Sequence, residues 1–417
     1  MAFVEDLPSS LLARTPEIGQ ARRALAVWLA DHGGRRTVLT ELMSDLGERL
    51  MQSDVPVVRI AVALRDYHPE FVGRQYNWRR GRGSEQVDRR YVQVVNQVFA
   101  QSPIRVIAEG ADALRRRLSG PSAQTDFPVL QELAADGVTD YVALPLLFSD
   151  GSRQFVAFAS DAEDGFHADQ LAYLESLLPQ LRQRIEVEYA RQLADQVLEV
   201  YLGAYAAPRV LSGEVRRVRG QAIRAIVLAV DLRGFTRLTD SHDADAVFGA
   251  LSTYYDAVSE PVLAAGGDIV KMIADGILAV FPLAEGSDAA AECAIACGAA
   301  EAVRKAHAAL AALAPGDLPD GVWPLKAGFA LHAGEITFGN VGSRARLDFT
   351  LIGPAVNEAF RIEAMTKTLG QPILMSAAFA ALAGEARVVS LGHHALRGVR
   401  AAKELFVPAE PGIPLSA

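Results

Sequence analysis

The sequence predicts an α+β protein of two domains joined by a long helix. Its 417 residues exceed one ordinary domain, and half of them are apolar, ample for two cores. Short β-branched runs alternate with helical stretches along both halves. Apolar residues also recur at Leu174, Leu178, Leu181, Ile185, Tyr189, Leu193, Val197 and Val200, spaced as in a stuttered coiled coil. That stripe predicts one helix from near Ala168 to about Tyr201.

The first helix opens on Thr15-Pro16-Glu17, which reads as an N-cap, an N1 proline and an acidic first turn, and it should end near Gly33-Gly34. A second fits Val38–Met51, with Leu39, Leu42, Met43, Leu46 and Leu50 on one stripe. Strands are expected at 57–66 and 71–78, a helix near 89–100, a strand at 104–110 and a helix at 127–137. The runs DYVALPLLF (140–148) and RQFVAFAS (153–160), joined by Ser149-Asp150-Gly151, predict a hairpin. After the long helix, Ala206–Gln221, with Pro208, Gly213 and Gly220, should break the helix and lead into a new strand.

Composition excludes some classes of function. A net charge of −9 argues against a nucleic-acid surface, and the clusters Arg79-Arg80-Gly81-Arg82 and Arg115-Arg116-Arg117 read as solvated loop or helix faces. No apolar run reaches the ~18–20 residues of a membrane span. The acidic N-terminus, MAFVEDLPSS, lacks the pattern of a secretory signal. Cys293 and Cys297 stand four apart in an Ala-rich helical segment and read as buried small side chains, neither disulfide nor metal site. A reducing, cytoplasmic setting is expected.

The second half carries the chemistry. AIRAIVLAVD (222–231) reads as a buried central strand with Asp231 at its exposed end. Leu232-Arg233-Gly234-Phe235-Thr236 then turns into a helix, where backbone N–H groups can cradle phosphate oxygens. Asp268–Ala274 and Ile277–Phe281 form a second hairpin that presents Asp275 at its turn. Gly353-Pro354 starts another helix, on which Asn357 and Arg361 stand i and i+4 on one face. Either acid alone means little; the ordered set means much more.

VDLRGFT (230–236), IVKMIADGILAVF (269–281) and DFTLIGPAVNEAFRIE (348–363) together resemble the catalytic domain of class III nucleotidyl cyclases over residues 222–408. The resemblance implies a ferredoxin-like βαββαβ core and a homodimer whose sites are shared between protomers. It implies two Mg2+ or Mn2+ ions held by Asp231, Leu232 and Asp275, oxygen donors suiting such hard ions. Phe235 and Thr236 would meet the nucleotide, Lys271 would donate to adenine N1, and Thr350 would accept from the 6-amino group. Asn357 would orient the ribose, Arg361 would neutralise the pentavalent phosphorus, and Arg397 would bind the terminal phosphates, with Lys403 as its competitor. Lys with Thr favours ATP and resembles the class IIIb subgroup, several of which respond to bicarbonate. Ala274, Pro354 and Thr350 depart from commoner family residues, but no metal ligand is lost.

The expected function is therefore a soluble adenylate cyclase making 3′,5′-cyclic AMP and pyrophosphate. A catalytically silent cyclase-like module, a cyclase with guanylate activity and a diguanylate cyclase are the rivals. Gly266-Gly267-Asp268 lacks the Glu-Phe of the diguanylate signature. The order of elements over 35–187 resembles a GAF-type sensory domain, preceded by a helix within 1–34. A connector over 168–221 overlaps its closing helix and should pair in parallel with a second copy. A small-molecule ligand of that domain is implied but not identified. With no cysteine before residue 293, a thioether-linked bilin is excluded, and His32, His68 and His167 are assigned no haem.

Overall fold

Strand β7 (Gly220–Leu232) organises the C-terminal half because both of its faces are buried. In the computed structural model, which describes residues 16–31, 38–65, 71–90, 99–213, 220–319, 322, 324–384 and 387–409, the chain divides into units 1–197 and 198–417. Ile226, Leu228, Val230 and Leu232 point to one side of the C-terminal sheet, where helices α8 (Ala244–Ala264) and α9 (Ala289–Ala312) pack. Ala225, Val227 and Ala229 point to the other, against α10 (Pro354–Leu369) and the short α6 (Ala206–Leu211). Burial on both faces explains why the run is continuously apolar rather than alternating.

The sheet has eight strands. Its path is β13 (Val388–His394), β14 (Lys403–Pro408), β12 (Ile373–Ser376), β10 (Ala327–Gly342), β7, β9 (Gly276–Leu283) and β8 (Asp268–Ile273); β11 (Leu347–Ile352) adds to β10. The order β7–α8–β8–β9–α9–β10–α10–β12, with antiparallel pairs β10–β7–β9–β8 and parallel β10–β12, is the expected α+β architecture. Among the described residues, no helix is long and apolar enough to cross a membrane.

The N-terminal unit holds a six-stranded antiparallel sheet in the order β3 (Gly83–Arg90), β2 (Phe71–Arg79), β1 (Val57–Arg65), β6 (Arg153–Ser160), β5 (Asp140–Leu147), β4 (Leu114–Arg117). Helices α1 (Pro16–Ala30), α2 (Leu39–Gln52) and the start of α5 (Ala168–Leu202) cover one face, and the predicted stripe on α2 is fully buried there. Helices α3 (Pro103–Ala108) and α4 (Pro128–Ala135) cover the other.

Several expectations are corrected. IRVIAEG is not a strand: Ser102 caps α3 by accepting from the Ile104 N–H at 3.1 Å, and Pro103 fits its first turn. Residues 89–90 belong to β3 rather than a helix; Phe99-Ala100 are helical, and 91–98 lie outside the described residues, as do Thr15 and Gly33-Gly34. Arg115-Arg116-Arg117 is strand β4 and is ion-paired, with Arg115 reaching the buried Asp140 at 2.6 Å and Arg116 reaching Asp126 at 2.9 Å. Cys293 and Cys297 are half-buried free thiols with sulfurs 3.9 Å apart. The segment after the long helix is itself partly helical, as α6. The stripe on α5 also divides: Leu174, Leu181 and Ile185 join the N-terminal core, while Val197 and Val200 are 37% and 45% exposed.

Candidate active site

The β7–β9 ladder sets Asp231 opposite Gly276, the residue after Asp275. The Leu232 N–H donates to the Asp275 carbonyl at 3.2 Å, so the two acidic positions are joined through their backbones. Tyr254 of α8 donates to the same carbonyl at 3.1 Å, and Tyr255 donates to the Ala274 carbonyl. Ala274 is left-handed at φ +53°, the conformation that a glycine adopts at no steric cost. The two tyrosines hold that turn in place.

Burial, and then the charge of Asp275, raise the Asp231 carboxyl above its ordinary value. The cation beside the acids is Arg233, whose guanidinium bonds Glu363 at 3.2 Å and also the Thr366 hydroxyl. Glu363 is buried, and burial with the Asp231 charge raises it to about 7. Adjacent carboxylates whose neighbouring arginine is already paired suit a divalent cation. Among the described residues no group of three or more His, Cys, Asp or Glu forms a metal cage. Two carboxylates with room for phosphate oxygens is nonetheless the usual arrangement for Mg2+. Leu232 could add only its backbone, because its side chain is buried in the core.

Lys271 lies on β8, with its ammonium on the Asp348 carboxylate of β11. Thr350 stands on the same strand opposite Gly339. Phe235 packs on the core at the first turn of α7 (Phe235–Ser241), and Thr236 beside it is exposed. At the start of α10, Gly353 takes φ +146°, and a Cβ there would come 3.2 Å from the Glu335 carbonyl. Pro354 occupies the first turn of this helix, which carries Asn357, exposed, and Arg361, half-buried. Arg397 is exposed in the turn between β13 and β14. Its neighbour Gly398 approaches Arg361 so closely that a Cβ there would lie 3.5 Å from the guanidinium. Lys403 is engaged with Glu358 at 3.2 Å, which leaves Arg397 the better placed of the two candidates.

The structure thus brings Asp231 and Asp275 together, and Lys271 with the strand of Thr350. Among the described residues, no hydrogen bond or ion pair joins Arg361 to the two acids. Sequence reasoning missed Glu363, Tyr254, Tyr255, Asp348 and Asp268. The buried Asp268 accepts the backbone N–H groups of Ala204 and Tyr205, each at 3.1 Å, and so ties the chain after α5 to the start of β8. Gly203, at φ +85°, makes that approach possible, since a Cβ would meet the Ile269 carbonyl at 3.0 Å. The adjacent Tyr-Tyr pair was the visible signal; the others are single acids whose partners lie far away in sequence.

No protein-family model matches the chain. It is 32% identical over 163 residues to a protein from Anabaena cylindrica named adenylate cyclase, a match covering 37% of this chain and 29% of that protein. It is 31% identical over 153 residues to adenylate cyclase 1 of Rhizobium meliloti strain 1021, covering 36% and 22%. The matched part is thus under a third of either relative. Among solved structures, the adenylyl cyclase CyaB from P. aeruginosa is similar at 23% identity and TM-score 0.39, over 46% of this chain and 97% of that one. The guanylyl cyclase Cya2 is similar at 26% identity and TM-score 0.37, over 47% and 96%.

Proposed function

We propose, from a C-terminal unit of the class III nucleotidyl cyclase type, that this chain is an adenylate cyclase that makes 3′,5′-cyclic AMP and pyrophosphate from ATP as a homodimer. The observation that carries the reading is the backbone junction that sets Asp231 beside Asp275 at the C-terminal end of β7. Two Mg2+ or Mn2+ ions, when bound by these acids, supply charge that acidifies the ribose 3′-hydroxyl and neutralises the triphosphate.

The remaining work falls to side chains. The 3′-oxygen attacks the α-phosphorus, the bond to the β-phosphate oxygen breaks, and the hydroxyl proton leaves to solvent. Arg361 neutralises charge building on the phosphoryl oxygens, and Asn357 holds the ribose; fixed charge of this kind is a large catalytic contribution. Lys271 donates to adenine N1 and Thr350 accepts from the 6-amino group, while Arg397 meets the leaving phosphates. Phe235 and Thr236 line the turn that receives the triphosphate. A second copy supplies the arginine side of each site.

The six-stranded N-terminal sheet, flanked by helices on both faces, supports the reading of a GAF-like regulatory domain. Control passes through α5. Deleting four residues within 186–196 rotates the downstream helix by about 40° and should change basal activity markedly, whereas deleting seven should disturb it less. Equal, wild-type activity in both folded, dimeric variants would make the helix a passive tether.

Incubation of the pure protein with Mn2+ and either ATP or GTP tests the function directly. Cyclic AMP is expected from ATP. Cyclic GMP as the main product would overturn the base assignment, and no product from either nucleotide would leave a silent binding module.

A further inference from the structure

The chain has two cysteines, and both stand on α9, one turn apart. Cys293 and Cys297 are half-buried, with their sulfurs 3.9 Å from each other. Helix positions four apart keep their Cβ atoms about 5–6 Å apart, beyond the ~4 Å that a disulfide needs. The pair therefore cannot close on itself while the helix stands. A single bridging ion is different, because two metal–thiolate bonds of about 2.3 Å span a gap of up to about 4.6 Å.

Spacing alone marks such a pair as inert. The structure adds Arg387, 90 positions beyond Cys297. Its Nη1 donates to the Ala383 carbonyl at 2.9 Å, at the end of helix α11 (Ala377–Ala383). The same nitrogen donates to the Cys297 sulfur at 3.0 Å and to the Cys293 sulfur at 3.5 Å. The carbonyl anchors the guanidinium, so one positive charge is held against both sulfurs. Burial, and then the bond with Cys293, push the Cys297 thiol up despite Arg387. At rest this sulfur is a thiol, not a thiolate poised for oxidation.

We propose that Cys293 and Cys297 form a binding site for a soft monovalent metal ion of the copper(I) class, with Arg387 as its charge partner. Thiolates select such ions, and a closed-shell monovalent ion is satisfied by two of them. Two S–H bonds break, two metal–sulfur bonds form and two protons leave to solvent, with no change in oxidation state. The product carries one negative charge, which the guanidinium beside it neutralises. Zinc, by contrast, takes four donors. Here the Ala383 carbonyl, 3.9 Å from each sulfur, is already engaged by Arg387. Among the described residues, no third His, Cys, Asp or Glu joins the pair. Glu292, the neighbour of Cys293, is bonded to Arg224 at 2.6 Å. Arg224 precedes Asp231 by seven residues of β7, or about 23 Å, so the thiol pair lies towards the other end of the sheet from the acids.

The test is an anaerobic titration of the full, reduced chain with copper(I), supplied as its acetonitrile complex, in competition with bicinchoninate. One ion per chain should be retained, with a thiolate-to-metal band in the ultraviolet and two sulfur neighbours by X-ray absorption. Cys293→Ser and Cys297→Ser should each lose the band and the ion, with the melting temperature of the metal-free protein near wild type. Arg387→Ala should weaken copper(I) about 10-fold, as loss of a group that supports metal ligands does, and Arg387→Lys should recover part of this. Zn2+ should not survive the same competition. Copper(I) lost to the chelator by wild type, or kept equally by the double serine variant, overturns the site. Zn2+ held more tightly than copper(I) overturns the class of ion, and unchanged affinity in Arg387→Ala overturns the charge partner. Should the serine variants unfold, titration of the wild-type thiols with dithiobis(nitrobenzoate) decides alone. Both thiols should be protected by one equivalent of copper(I), and thiols that stay reactive refute the proposal.

Discussion

The two sides of the candidate site are held very differently. Asp231 and Asp275 sit on a backbone fixed by a strand ladder, by Tyr254 and Tyr255, and by Arg233 clasped to Glu363 and Thr366. Asn357, by contrast, is exposed, and Arg361 forms no ion pair among the described residues. The acidic side is ordered by its own chain before any substrate arrives. The arginine side consists of polar side chains with fewer fixed partners, as the proposed assembly of each site from a nucleotide and a second copy would require.

The largest effect should come from separating the two sides. Asp275→Ala and Arg361→Ala should each reduce turnover about 1,000-fold, since under the proposed function one removes a metal carboxylate and the other the phosphoryl charge partner. Mixed as dimers that exchange, the two should return to about a quarter of wild-type activity, because half the dimers then hold one intact site of two. A mixture as inactive as its parts, with heterodimers demonstrated, would break the division into sides.

Next in size is base choice. Lys271→Glu with Thr350→Cys should cut kcat/KM for ATP about 100-fold or more, because a site built for one polar edge rejects a mismatch strongly. Melting temperature should stay near wild type, as both side chains lie outside the cores. Unchanged ATP kinetics would refute the adenine assignment.

The acidic side should also carry a pH signature of its own. Glu363 rises from 4.5 to about 7 on folding, so in metal-free protein the native state binds its proton more tightly than the unfolded one. Stability from this group is present below pH 4.5 and is lost as pH rises through about 7, a change of at most about 3 kcal/mol, less where solvent screens the group. Urea unfolding in chelator at pH 5 and pH 8 should show the decline, and Glu363→Gln should flatten it. An unchanged slope in that variant would place the titration elsewhere.

The smallest effect concerns the turn itself. Ala274→Gly removes the steric cost of a left-handed alanine and should be neutral to stabilising, by about 1 kcal/mol at most once the added backbone freedom is counted. Marked destabilisation in urea would mean that the turn is not left-handed.

The buried parts of this protein were legible because burial leaves a period in the sequence. The stripe on α2, the continuous run of β7 and the hairpin β5–β6 all announced themselves that way. Strands β3 and β4 did not. Both are sheet edges, and residues such as Glu85, Asp88, Arg115 and Arg116 satisfy them through ion pairs and solvent, leaving no apolar alternation to read. α3 was misread because apolar Ile104, Val106 and Ile107 fit a short strand as well as a helix, and the Ser102 cap decided between them.

For the site, the sequence by itself determined the chemistry: which residues bear acid, cation, amide and hydroxyl, in what order, and on which turns and helices. Only the tertiary structure decided which of them are neighbours. Asp231 meets the Asp275 turn across a ladder, Lys271 meets Asp348 across 77 positions, and Arg233 meets Thr366 across 133. Residue type and local period are written in adjacent positions, but a pairing between distant polar groups depends on sheet register and helix placement, which are set by the apolar cores rather than by the polar residues that meet.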